Sequence, residues 1–290
     1  MKPGRLFDQL ASAMNGDEVT GAANLLAGTL CALPTASPQF AALREELRAH
    51  RLHALLLEDP HSGRAFAKPR GYAGDAELID YYYDRNPPEA TSDIGRRLFA
   101  ITTAFSSGRA VDFRRSYAAQ RLERAHADGK QVCALACGHW READGLIGFD
   151  CGNLTGIDHD PVSLDLVRER HGSAIGLVEA NVFHYLRRAA RRGEQFDLVY
   201  TLGLTDYFDE RQMSLFYRLM RGCLAPGGEI MVANFLPDHL AIGWMDAVMD
   251  WHLVYRSDNA MLAHAEAIGL RARTFHDPTD SIVFCEMTDG

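Results

Sequence analysis

The chain has 290 residues, 47% hydrophobic and 24% charged, with a formal net charge of -9. That is apolar material enough for one large domain, or for a domain with a substantial extension. The acidic balance argues against a protein that grips nucleic acid through phosphates, though a locally basic pocket for a small anion stays open.

No apolar run approaches the roughly 20 residues that a membrane-spanning helix needs. The opening MKPGRLFDQLASAMNGDEV lacks an apolar export core, so a cytoplasmic protein with no membrane partner is expected. Cys31, Cys133, Cys137, Cys151, Cys223 and Cys285 are scattered, with no CxxC pair and no zinc-like spacing. They are expected to be reduced, mostly buried residues, and no metal is expected.

In SPQFAALREELRAHRLHALLLED, Ser37 stands as an N-cap before Pro38, and Phe40, Leu43, Leu47, Leu52 and Leu55 share one stripe. KPRGYAGDAELIDYYY, Lys68 to Tyr83, interrupts that rhythm with Gly71 and Gly74. Thr91 to Lys130 predicts one or two long helices closed by Asp128-Gly129. Residues 1–130 are therefore expected to form a helical N-terminal region.

From Gln131 the pattern alternates. QVCALA, NLTGID, IGLVEA, FDLVYT, GEIMVANF and DSIVFCEM are strand-like, separated by helical stretches such as PVSLDLVRERHG and NVFHYLRRAARRG. This predicts an α/β domain over 131–290, a mostly parallel sheet with helices on both faces. Such sheets bind ligands at the carboxyl ends of their strands, where the strand order reverses.

Ala136, Cys137 and Gly138 end the first of these strands, and small residues there let a ligand lie on the backbone while a following helix offers free N–H groups. A plain strand-to-helix turn is the alternative. Neither GxxxxGK[ST] nor GxGxxG is present. Asp158, at the tip of the second strand, can accept hydrogen bonds from both hydroxyls of a ribose, whereas Asp160 before Pro161 fits a helix N-cap. Asn181 can pair with an adenine edge or simply form a turn. Turn, acid and amide in this order weigh more together than singly.

These residues resemble the class I S-adenosylmethionine-dependent methyltransferases, from about Gln131 to Met287. ALACGHW is similar to the glycine-rich first motif, GIDHDP to the ribose-binding acid and EANVF to the adenine-side turn. FDLVYTLGLTDYF resembles the fourth strand and its exit, and LAPGGEIMVANF the Pro-Gly-Gly turn into the fifth. The resemblance implies a Rossmann-like fold, S-adenosylmethionine as cosubstrate, and cosubstrate contacts from Ala136, Cys137, Gly138, Asp158, His159, Asn181, Val182, Thr201 and Gly203. The first motif departs from the family pattern. Ala134 replaces the usual acid, Ala136 the first glycine and Trp140 the third, so Glu142 or groups from the first half must meet the methionine amine. KPRGYAGD resembles a segment of a bacterial subgroup that includes hydroxy-fatty-acid methyl ester biosynthesis proteins. There Gly71 and Gly74 would allow a close turn, Lys68 and Arg70 supply cations, and Tyr72 an aromatic face over the sulfonium, forming a lid. A basic linker is the alternative.

The expected activity is methyl transfer to a small molecule, at a carboxylate or hydroxyl oxygen. A carboxylate needs no base and Arg70 or Lys68 could orient it, whereas a hydroxyl needs one. Asp206 and Tyr207, past the fourth strand, stand where such groups sit, although Asp206 could instead cap the helix near Glu210. Tyr200, Tyr207 and Tyr81-Tyr82-Tyr83 could line an aromatic pocket, with ordinary packing the alternative for the triple tyrosine. His139 follows the turn directly and faces either cosubstrate or solvent. Two further readings remain: an intramolecular cyclase that makes azetidine-2-carboxylate and methylthioadenosine, and a non-catalytic S-adenosylmethionine sensor.

Overall fold

The computed structural model describes residues 3–14 and 16–289. The chain folds as two units: one runs to Asp112 and takes in Asp238–His252, the other comprises Phe113–Pro237 and resumes at Leu253.

The first unit is helical: α1 (Pro3–Met14), α2 (Val19–Cys31), α3 (Pro38–Ala49), α4 (Arg51–Leu56), α5 (Pro60–Ala67), α6 (Ala76–Asp84) and α7 (Asp93–Thr102). α8 (Ser106–Ala127) begins in the first unit and ends in the second. Ser37, Asp59, Asp75 and Ser92 cap their helices by accepting from backbone N–H groups two or three residues on. The stripe expected to continue through Leu55 breaks at His50, whose extended backbone and ring restart the chain as α4. The restart shifts the phase, so Leu56 rather than Leu55 is buried.

In the second unit, β1 (Val132–Leu135) is followed by β2 (Cys151–Asp158), α9 (Pro161–His171), β3 (Ile175–Glu179), α10 (Val182–Arg192), β4 (Phe196–Thr201), α11 (Glu210–Arg221) and β5 (Leu224–Phe235). α12 (Ile242–Ala247) belongs to the first unit; α13 (Asp258–Glu266), β6 (Arg271–His276) and β7 (Ile282–Thr288) complete the second. The strand order is β3-β2-β1-β4-β5-β7-β6, with β7 antiparallel to both neighbours and the rest parallel. This is a Rossmann-like class I methyltransferase fold.

Period-two alternation sends Cys133 and Leu135 of β1 into one core layer, with Tyr185 and Leu186 of α10 and Phe216 and Met220 of α11. Val132 and Ala134 face the other layer, against Ala118, Leu122 and Ala125 of α8. The helices start where local chemistry dictates: Asp160 caps α9, and Asp209 with Gln212 forms a capping box on α11. β6 escaped the sequence reading because RARTFH is a half-exposed edge strand with little apolar signal.

Candidate functional site at the carboxyl ends of β1, β2 and β4

The strand order reverses between β1 and β4, so the crevice outside their carboxyl ends is where a ligand is expected. The turn after β1 is unusual. Ala136, Gly138 and Trp140 all have positive φ, at 51, 54 and 45°. For alanine and tryptophan that backbone is strained, and such strain persists only where surroundings impose it. Two neighbours do. The Cys137 N–H donates to Ile157 O at 3.1 Å, and Arg170 of α9 donates to His139 O while pairing with Asp144. The helix expected after this turn is instead a six-residue 3-10 segment, Arg141–Leu146.

Asp158 closes the junction. Its side chain is buried; Oδ2 accepts from the Gly138 N–H at 2.7 Å and Oδ1 from the Asp160 N–H at 3.0 Å. The carboxylate thus has a structural task that the sequence left unassigned, tying the tip of β2 to the turn after β1. Two acceptor sites are used and others remain on the same oxygens. His159 Nδ1 lies 3.3 Å from Oδ1. Burial, and then the Asp158 charge, push the Cys137 thiol well up.

Trp140 occupies the space a third glycine would leave open. Its indole is buried over Gly156, where an added Cβ would fall 2.6 Å from Cζ3. Its Nε1 donates to Tyr200 Oη at 2.6 Å, and that hydroxyl donates to Glu142 Oε1 at 3.1 Å. Register pairs Ala134 with Gly156 on one side and Tyr200 on the other. Glu142 thus places a carboxylate beside Tyr200, its carboxyl pushed up by burial and held down by Tyr200 and Arg114. Tyr200 is 2% exposed, so it belongs to this buried chain and does not line an open aromatic pocket.

At the exit of β4, Thr201 Oγ1 is buried without a hydrogen-bond partner among the described residues. Leu202 O accepts from Arg114 Nη1 at 2.6 Å, and a Cβ on Gly203 would lie 3.1 Å from that atom. Asp206 is buried and accepts from the Phe235 N–H at 2.7 Å. It does not cap α11, a task taken by Asp209. The segment is pinned by buried Arg256, which donates to Thr205 O at 2.8 Å and Phe208 O at 2.6 Å. Tyr207 beside it is 37% exposed. Asn181 caps α10 through Oδ1, which accepts from Phe183 and His184, and Val182 is buried behind it.

Ala136, Cys137, Gly138, Asp158, His159, Asn181, Val182, Thr201, Gly203, Asp206 and Tyr207 all stand at carboxyl ends of strands in the second unit. Arg70 and Tyr72 belong to the first. There Gly71 has φ 88°, Lys68 pairs with Asp250 and Arg70 with Glu77, so the cations expected for a lid engage carboxylates of their own unit. Sequence reasoning missed Arg114 and Arg256. Each is one arginine among many, although Arg114 continues the stripe Ala118, Leu122, Ala125 backward at helical spacing.

No family model and no curated protein matches the chain. Among solved structures, a possible exported protein from Bordetella parapertussis is similar over 74% of this chain and 79% of that one, with 20% identity and a TM-score of 0.58. A magnesium protoporphyrin IX methyltransferase from Synechocystis PCC 6803, solved with bound SAH, matches 75% of this chain and 100% of its own at 12% identity, TM-score 0.49. The N-methyltransferase NodS from Bradyrhizobium japonicum WM9, also with S-adenosyl-L-homocysteine, matches 59% and 84% at 18% identity, TM-score 0.44. At such identities the first likeness speaks for the fold alone. Function has to be read from the site.

Burial pushes Asp206 up to about 6, against the Phe235 N–H and the charges of Arg114 and Arg256. The folded state holds that proton more tightly than the unfolded chain. Its contribution to stability is complete below about pH 4 and fades as the pH rises through about 6. The unfolding free energy of the wild type relative to Asp206→Asn should fall between pH 4 and 6 and level off above. Urea unfolding at stepped pH measures it; a flat difference would place Asp206 in an unperturbed environment. Asp59, which burial also raises to about 6, is present in both proteins and cancels.

Among the described residues no group of three or more His, Cys, Asp or Glu side chains is placed to hold a metal ion, and no helix is long and apolar enough to cross a membrane.

Proposed function

We propose that the second unit binds S-adenosylmethionine and that the protein transfers its methyl group to a carboxylate or hydroxyl oxygen of a small molecule. The observation that carries this reading is the Asp158–Gly138 junction. A buried carboxylate ends β2 twenty residues after a turn poor in side chains, with lone pairs left for two ribose hydroxyls. The orphaned Thr201 hydroxyl at the end of β4 offers a further polar contact beside it. The residues present therefore fit the nucleoside.

The cosubstrate, when bound, supplies a methyl group already activated on a sulfonium. What remains for the chain is to place an acceptor in line and to exclude water. A carboxylate acceptor requires no proton transfer. For a hydroxyl, Asp206 is the assigned proton acceptor, and activity would then rise with pH through about 6 as its carboxyl ionises. Tyr207, more exposed at the same exit, is assigned to the acceptor side. The helical first unit is assigned to acceptor binding. A cavity of about 580 Å³ in the first unit, lined by Ala27, Gly28, Phe105, Arg109 and Leu240 among others, is of small-molecule size. A cytoplasmic location, and acceptors that are neither nucleic acid nor membrane, belong to the same proposal.

Product analysis tests it. Purified protein is incubated with S-adenosylmethionine alone and then with a small-molecule extract. Formation of S-adenosylhomocysteine only when extract is added supports methyl transfer. Methylthioadenosine from the cosubstrate alone would replace transfer by cyclisation, and no nucleoside product under either condition would overturn the enzymatic reading.

A further inference from the structure

Arg114 is a buried charge beside the crevice whose guanidinium is incompletely paired among the described residues. It lies on α8, one turn before Ala118, at the end of the stripe that packs α8 against β1 and β4. It is 6% exposed, yet Nη1 donates to Leu202 O and, among the described residues, buried Nε has no hydrogen-bond partner. A guanidinium carries five N–H donors, and leaving buried donors unmade is costly enough that native proteins pair nearly all of them.

Arg114 interacts electrostatically with Glu142 at the β1 exit and Asp206 at the β4 exit, and burial pushes both carboxyls toward their neutral forms. Gly203 leaves room for it, since any Cβ there would crowd Nη1 at 3.1 Å. The result is a buried fork of donors at the carboxyl end of β4, with Nε left without a hydrogen-bond partner among the described residues. That arrangement suits a carboxylate, the anion whose geometry a guanidinium matches in two parallel bonds.

Resting on the S-adenosylmethionine reading, we infer that Arg114 binds the carboxylate of the cosubstrate's aminobutyrate chain, while Glu142, standing in for the acid missing at Ala134, faces its ammonium group. Arg114 and Glu142 would together read a zwitterion and so set the preference for the whole cosubstrate over its bare nucleoside.

Calorimetry with two probes tests this: S-adenosylhomocysteine, which carries the chain, and 5′-methylthioadenosine, which shares the nucleoside and thioether but has only a methyl in its place. Wild type should favour the former by about tenfold or more. Arg114→Gln should cut that preference severalfold, leaving what Glu142 contributes, with methylthioadenosine affinity unchanged, which also certifies a folded site. Arg114→Lys, keeping the charge without the fork, should retain part of it. An undiminished preference in Arg114→Gln, or no preference in wild type, would overturn the assignment. Failure of both probes to bind wild type would instead overturn the cosubstrate reading itself.

Discussion

Replacing Asp158 by alanine should weaken S-adenosylhomocysteine binding by at least about 2 kcal/mol, or roughly thirtyfold. Two losses act together. The ribose hydroxyls lose their acceptor, and the Gly138 N–H, now donating at 2.7 Å, is released, so the turn on which adenosine is to rest loses its tie to β2. Asp158→Asn separates the two. Its amide oxygen can still accept from Gly138, but the carboxylate's second acceptor and its charge are gone, so its affinity should fall between wild type and alanine. Calorimetry gives the affinities and thermal unfolding checks that both variants remain folded. Wild-type affinity in the alanine variant would mean that the ribose binds elsewhere.

A glycine in place of Trp140 should damage the protein, although it brings the turn closer to the glycine-rich motif that ALACGHW resembles. Glycine would relieve a φ of 45°, which is worth about 1 kcal/mol. Against that stands the loss of a fully buried indole over Gly156, typically about 3–5 kcal/mol for a large core aromatic. Tyr200 Oη would also lose the donor that holds it at 2.6 Å, loosening its bond to Glu142. The expected net effect is a destabilisation on the order of 3 kcal/mol in urea unfolding, the packing loss exceeding the relief of strain. Trp140→Phe, which keeps most of the volume and drops only the N–H, should cost less. Equal stability of Trp140→Gly and wild type would show that the cavity collapses without penalty.

The sheet was legible because its signals are local. Apolar runs of strand length alternate with capped amphipathic helices, and Asp160, Gly129 and Gly193 punctuate them where the chain must turn. β6 lacked such a signal because only one of its faces packs. At the site, Gly138 and Asp158 could be found from their places at strand ends. Their mutual bond could not, since it spans twenty positions and depends on how two parallel strands register. The same holds for Trp140, Tyr200 and Glu142, which meet only because Gly156 opens a space between strands. Arg114 was hidden for another reason. A buried arginine and a solvated one look identical in a sequence, and α8 carries several. The triple tyrosine shows how adjacency misleads: only Tyr82 is fully buried, with its ring against His61, because successive helical residues point a hundred degrees apart.

The outermost strands of the sheet bear on how the protein behaves in a crowded cell. β3 is only five residues long, and β6 presents Arg271, Arg273 and His276 along a partly solvated ribbon. A short border, or one set with basic side chains as β6 is, resists the addition of a foreign strand, the step by which open sheets recruit copies of themselves into fibrils. On β6 that resistance to edge pairing is built into the side chains of the strand itself.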